Sequence, residues 1–249
     1  GIDIATSAYI GFIDSDDYVD PDMYQEMLKA MIDFNAELAY CNLVLESDNK
    51  ESNSPYLNSG QVFVSPVKNV LKEIMLEKIS CSACTKLYRR ELFNSIRFPE
   101  GKLYEDRLVM HEWVVLCETI VCVDKPFYHY VERQSSICHT PDPLNRYQFF
   151  LAEYSRLFFV DHCPLLKGED KVEVRRKIVW FSILLFKDVM RIAKPRKNFN
   201  PLFKDMKGKL KGLLVYSKEE IGERSYKRVR NIVYFWPLYY LIHFAFKKR

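Results

Sequence analysis

Glycine and proline are scarce in this chain, at 8 and 11 of 249 residues, and no segment repeats at a fixed period. Collagen-like, low-complexity and solenoid architectures are therefore excluded. A long apolar run is also missing. The longest uncharged one, Ile232–Phe246, has 15 residues and contains Pro237 and His243, whereas a bilayer core needs about twenty. Paired zinc knuckles are absent too: Cys81 and Cys84 form a single C-x-x-C, and four residues separate Cys117 from Cys122. Seven cysteines, an odd number spread from Cys41 to Cys163, exclude a disulfide-stapled miniprotein and point to reduced, buried thiols in a cytosol. The first residue is Gly1 rather than Met, and the opening residues read as the end of a helix entering a strand, as though the chain began inside a fold.

What is present is an ordinary globular composition, 48% hydrophobic and 28% charged, enough for one large or two small domains. The net charge of +4 conceals a segregation. Residues 1–164 carry 15 Lys and Arg against 25 Asp and Glu, whereas residues 165–249 carry 22 against 8. An acidic body suits cation-assisted chemistry, and a basic, aromatic-rich tail suits an anionic surface. The apolar run is flanked by Lys227, Arg228 and Arg230 on one side and Lys247, Lys248 and Arg249 on the other, with Trp236, Tyr239 and Tyr240 inside. That arrangement fits an interfacial helix making peripheral membrane contact, and equally a terminal core helix with a solvated end. The basic stretch Lys194–Lys211 has few interleaved aromatics and no recognition motif, so no nucleic-acid partner is expected.

Along the chain, the apolar run Tyr9–Ile13 reads as a buried strand delivering Asp14-Ser15-Asp16-Asp17 at its edge. Asp20 and Pro21 predict a helix N-cap and N1, with Met23, Met27, Ala30, Met31 and Phe34 on one face. A strand is expected over 37–45, an exposed loop over 46–59 and a helix over 67–78. A short helix is expected over 90–95, and Tyr104-Glu105-Asp106 heads a helix reaching about Cys117. Two short strands follow, Ile120–Val123 and Phe127–Val131, and beyond about Pro143 the pattern is helical. The fold class is thus α/β, a mixed sheet flanked by helices, with a helical C-terminal extension.

Two acidic constellations could carry chemistry. Asp14, Asp16 and Asp17 repel one another, and Mg2+ or Mn2+ would offset that repulsion; a solvated turn capping the next helix is the plain alternative. An EF-hand is excluded, because its sixth and twelfth positions are Val19 and Gln25 instead of Gly and Glu. Glu105 and Asp106 either complement a helix dipole or supply a general base. His129, between two tyrosines, reads as a hydrogen-bonded structural residue.

These residues, taken in order, carry a family likeness. Gly1-Ile2-Asp3-Ile4-Ala5-Thr6, Tyr9-Ile10-Gly11-Phe12-Ile13-Asp14-Ser15-Asp16-Asp17 and Pro21 closely resemble the middle of family 2 glycosyltransferases of the GT-A fold, the type found in bacterial capsule and cell-surface polysaccharide clusters. Lys86 to Phe93, Arg97-Phe98-Pro99-Glu100-Gly101, Tyr104-Glu105-Asp106 and Tyr128-His129-Tyr130 leading to Arg133-Gln134-Ser135-Ser136-Ile137 are similar to later signatures of that family. The resemblance covers residues 1–137, a C-terminal portion of the GT-A domain, and leaves 138–249 as a basic helical extension. It places the family's nucleotide-binding first half before Gly1. Two stretches depart from the family pattern: Ser7-Ala8 stands for Gly-Glu, and Cys84-Thr85 for an aromatic and Asn.

The resemblance implies an inverting, metal-dependent transfer of a sugar from a nucleotide-diphosphate sugar to a glycan or lipid-linked acceptor hydroxyl, at the cytoplasmic face of the bacterial membrane. Asp14-Ser15-Asp16 matches the D-x-D motif, with Asp14 and Asp16 toward diphosphate and metal. Asp106 matches the catalytic base, Glu105 an acceptor contact, and Arg133 a phosphate contact. The alternative is a non-catalytic remnant serving as a membrane-docking or interaction module.

Overall fold

The computed structural model describes residues 1–47, 50–53, 58–132, 141–193 and 200–240. The chain divides into two compact units, Gly1–Gly101 with Glu105–Ser136, and Lys102–Tyr104 with Ile137–Arg249.

The first unit is built on a mixed sheet. Its strands are β1 (Tyr9–Gly11), β2 (Tyr18–Val19), β3 (Leu38–Ser47), β4 (Lys50–Asn53), β5 (Val62–Ser65), β6 (Lys86–Arg89) and β7 (Ile120–Val131). The order is β1-β6-β3-β7-β2, with β4 added on β3 and β5 on β7. Among the described residues only the central pair, β3 and β7, is parallel; the other pairings are antiparallel. The interior position explains the sequence of β3, where Leu38, Ala39, Tyr40 and Cys41 are all buried instead of alternating.

Residues 120–131 form one strand where two were expected. Pro126 has no N–H for the ladder, and the pairing with β3 jumps from Cys41–Val123 to Asn42–Pro126 across a bulge. Asp124 inside the bulge accepts from Asn42 Nδ2 at 2.6 Å and from the Ser59 amide at 2.8 Å, which fastens the loop before β5.

Helix α1 (Met23–Asp33) starts later than Asp20-Pro21 predicted, with Asp22 as N-cap. Asp20 is engaged elsewhere: its amide donates to the Phe127 carbonyl at 2.9 Å and its carboxylate meets His129 Nε2 at 3.2 Å. Met23, Met27, Ala30 and Met31 bury themselves against Ala39, Leu87, Val121, Val123 and Tyr128, whereas Phe34 lies beyond the helix end and is exposed. Helix α2 (Val67–Met75) buries Val70, Leu71, Ile74 and Met75. Helix α3 (Glu105–Leu116) sends Trp113 into an edge-to-face cluster with Tyr88, Phe93 and Phe98.

The second unit is helical: α4 (Pro143–His162), α5 (Gly168–Ala193), α6 (Asn200–Gly212), α7 (Lys218–Ile221), α8 (Glu223–Tyr234) and α9 (Trp236–Tyr240). Asp142 caps α4 through the Leu144 amide, with Pro143 in the first turn, as the local sequence dictates. Arg175 of α5 bridges Asp161 of α4 at 2.7 Å and Glu220 of α7 at 2.9 Å. Among the described residues no helix is long and apolar enough to cross a membrane.

Candidate active site

Strand β1 ends at Gly11, two residues short of the expected Ile13, so the acidic loop begins at Phe12. The reason is packing: Tyr24 of α1 lies over Gly11, and its hydroxyl donates to the Phe12 carbonyl at 3.2 Å. The loop then turns on an Asp17 amide to Asp14 carbonyl bond of 3.1 Å.

The three aspartates of this loop do not share one job. Asp17 is clamped to β7, accepting from the Tyr128 hydroxyl at 2.6 Å and from the Val131 amide at 2.9 Å. The Tyr128 oxygen also accepts the Asp14 amide at 3.3 Å, so one buried phenol fixes both ends of the turn. Burial and the Asp17 carboxylate push the Tyr128 hydroxyl far above its ordinary range, which keeps its proton in place as a donor. Tyr128 is a structural holder of the loop that sequence reading passed over in favour of His129, and Asp17, read there as one of three cation-facing carboxylates, is its partner. The available signal was an inward tyrosine on the strand beside the acidic turn. His129 is fixed between Glu46 at 2.9 Å and Asp20 at 3.2 Å and stacks on Tyr18, the hydrogen-bonded role expected of it.

Asp14 keeps an exposed edge, yet partial burial raises its carboxyl pKa above the usual value. The negative charges of Asp17, Asp106 and Asp16 add to that rise, and a hydrogen bond from the Cys84 thiol opposes it. Asp106, in the first turn of α3, accepts the Ala83 amide at 3.2 Å. Cys84 feels the charges of both Asp14 and Asp106, and burial first, then Asp14, pushes its thiol up to about 11. Residues 80–85 thus join the two acidic constellations, which lie some ninety positions apart in sequence, into one electrostatic neighbourhood. Cys84 and Thr85, where the chain departs from the family pattern, belong to that connecting loop.

Glu105 is exposed at the start of α3. Arg133 lies outside the described residues. Cys41, Cys84, Cys117, Cys122 and Cys163 are free thiols, and no three His, Cys, Asp or Glu among the described residues converge as a ready metal cage. The donor set fits a different kind of site, because Mg2+ is commonly held by one or two carboxylates together with substrate phosphates.

The family profile described as Glycosyl transferase family 2 matches residues 1–97. Over those residues the chain is similar to glycosyltransferase family 2. The chain is 29% identical over 196 residues to the Bacillus subtilis protein EpsH, covering 76% of this chain and 54% of EpsH, which is named as a glycosyltransferase. It is 30% identical over 149 residues to glycosyltransferase GlyG of Streptococcus pneumoniae, covering 56% of this chain and 49% of GlyG. The chain therefore spans about half the length of these relatives. A crystal structure of S. aureus TarS residues 1–349 in complex with UDP-GlcNAc superposes with a TM-score of 0.60 at 16% identity, over 95% of this chain and 70% of that one. The shared architecture is the GT-A fold, a mixed sheet flanked by helices, as the sequence suggested.

Proposed function

We propose that this chain takes part in an inverting, metal-dependent transfer of a sugar from a nucleotide-diphosphate sugar to an acceptor hydroxyl in cell-surface polysaccharide synthesis. The observation that carries the reading is that residues 80–85 link the two acidic constellations: the Ala83 amide donates to Asp106 Oδ2 at 3.2 Å, and the adjacent Cys84 thiol hydrogen-bonds to Asp14. The UDP-GlcNAc complex of a structurally similar protein supports the donor class.

In this reading Asp14 and Asp16 hold the donor diphosphate through Mg2+ or Mn2+. When bound, that cation neutralises charge building on the departing diphosphate. Burial first, and then the negative charges of Asp17, Asp106 and Asp16, raise Asp14, and a bound cation would relieve both effects. Asp106 takes the proton of the acceptor hydroxyl as its oxygen attacks the anomeric carbon opposite the diphosphate. The new C–O bond forms while the bond to diphosphate breaks, so configuration inverts without a covalent enzyme intermediate. Glu105, exposed beside the base, contacts a glycan or lipid-linked acceptor.

Peripheral contact at the cytoplasmic membrane face is the companion proposal. The exposed face of α8 runs from Arg224, Lys227 and Arg228 to Tyr234, and Phe235 and Leu238 continue it. Cations followed by exposed aromatic and aliphatic side chains are what an anionic bilayer surface recruits. The same patch also fits the second reading, a non-catalytic docking module.

The test uses the longest natural chain that contains these residues, incubated with a panel of sugar nucleotides with and without Mn2+. Asp16→Ala is expected to abolish transfer and metal-dependent nucleotide binding. Asp106→Ala is expected to abolish transfer while retaining that binding. Full transfer by either variant overturns the assignment, and a wild-type chain inert toward every donor favours the docking module.

A further inference from the structure

Lys86, the first residue of β6, is fully buried. Its Nζ donates to the carbonyls of Ser80 at 2.6 Å and Ser82 at 2.7 Å and to Thr85 Oγ1 at 3.1 Å, which uses its three N–H bonds. A strand-core position ordinarily takes an apolar side chain, so a cation here needs a reason. Its effect is local and specific. It draws two alternate carbonyls of the loop, those of Ser80 and Ser82, toward one point, and Thr85 Oγ1 donates back to the Ser82 carbonyl at 3.2 Å. Ser82 Oγ accepts the Cys84 amide at 3.2 Å, closing a short 3-10 turn over Ala83–Thr85. The knot leaves the Ala83 amide pointing outward, where it meets Asp106 Oδ2.

We propose that Lys86 is a positioning residue for the transfer reaction: its buried ammonium knots residues 80–85 so that the Ala83 amide orients the Asp106 carboxylate. The inference rests on the reading of Asp106 as the base, and it assigns the base's orientation to a residue that touches neither donor nor acceptor. One oxygen of Asp106 is held by an amide, leaving the other to take the acceptor proton. Burial pulls the Lys86 pKa down to about 8, against the opposing effect of Cys81, of Asp106 on α3, of Cys41 on β3 and of Cys84. The knot is consequently sensitive to alkali.

Three variants in the longest natural chain test this. Lys86→Met keeps the stem and removes the cation. Lys86→Arg keeps a charge. Ala83→Pro deletes the amide donor while leaving the knot; proline suits the first position of a short helix, and Ser82 already has the extended conformation, φ −58° and ψ 136°, that precedes proline. Lys86→Met and Ala83→Pro are each expected to lower kcat by roughly 10- to 100-fold, the scale of a misplaced catalytic group, with the Kd for the nucleotide sugar within about twofold of wild type. Lys86→Arg is expected to recover part of that loss. The wild-type kcat profile should fall above about pH 8, and the Lys86→Met profile should lack that limb.

Amide hydrogen exchange at Ala83 and Cys84 is measured in parallel and does not depend on turnover. Protection there should drop by about tenfold or more in Lys86→Met, relative to amides in α1. Unchanged protection overturns the proposal whether or not the chain is active. Unchanged kcat in Ala83→Pro overturns it in an active chain. A wild-type chain without transferase activity but with the predicted exchange pattern sinks the functional reading and leaves the Lys86 knot standing. If Lys86→Met does not fold, Thr85→Val, which removes one acceptor of the knot, carries the same two readouts, with a kcat loss of roughly two- to tenfold expected.

Discussion

A single methyl group at Gly11 tests the packing that delivers the acidic loop. A Cβ built there would lie 2.5 Å from Tyr24 Cε1 and 2.8 Å from both Cζ and Oη, inside any real contact distance. The obstructing atoms are the far end of a tyrosine ring, so the ring moves before the strand does. Moving it forfeits the hydrogen bond to the Phe12 carbonyl, worth about 0.5–1.5 kcal/mol. Overpacking of this kind adds about 1–3 kcal/mol. Gly11→Ala should therefore cost roughly 2–4 kcal/mol, which in a chain of this length lowers Tm by roughly 4–16 °C. Thermal unfolding followed by circular dichroism, on a double-mutant cycle with Tyr24→Leu, measures it. With the ring gone, Gly11→Ala should cost less than about 0.5 kcal/mol, because the remaining effect is that of an ordinary partly exposed strand position. Equal destabilisation in both backgrounds would refute the steric argument and place the cost in the backbone instead.

Other consequences are as direct. Tyr128→Phe removes a neutral donor to a carboxylate and the acceptor for the Asp14 amide; stability should fall by about 1.5–3 kcal/mol, and metal-dependent nucleotide binding, followed by calorimetry, should weaken with it. For Lys86 the folded pKa, about 8, lies below the ordinary 10.5, so between those values the unfolded chain binds the extra proton and stability rises with pH. Urea denaturation should show wild type gaining roughly 3 kcal/mol on Lys86→Met from pH 7.5 to 10.5, and parallel curves would refute the burial of a charged Lys86. Phe235→Ser with Leu238→Ser should release the chain from anionic vesicles in a sedimentation assay, and raised salt should do the same; equal binding to neutral vesicles would count against the cationic face of α8.

The fold was legible where composition and periodicity agree. The apolar spacing of Val70, Leu71, Ile74 and Met75 named a helix and its buried face together. The strand through Leu38–Cys41 was readable because a central parallel strand is apolar on both sides. The boundaries that slipped are those set by partners distant in sequence. Asp20 looks like a cap, but the Phe127 carbonyl and His129 hold it in an extended segment, and Pro126 looks like a strand end, but a bulge carries β7 past it. At the site, the acidic residues were visible as a pattern. Their division of labour was not, because it is decided by partners 111 and 23 positions away in sequence, Tyr128 for Asp17 and the Ala83 amide for Asp106.

Lys86 stands in the same contrast. Within one loop's reach the fold places an aspartate whose anion is disfavoured by burial and like charge, and a lysine whose cation is disfavoured by burial. A core selected only for stability would relax both, with water or a partner at Asp14 and an apolar side chain at 86. Titratable groups pushed away from their ordinary states in opposite directions, and connected through Ser80–Thr85, suit the roles proposed above, Asp14 toward a cation and Lys86 toward the frame that orients Asp106. The two act through different atoms, since Asp14 meets the Cys84 thiol and Asp106 the Ala83 amide. Loss of the Lys86 knot should therefore disturb turnover more than donor binding, and loss of Asp14 should do the reverse.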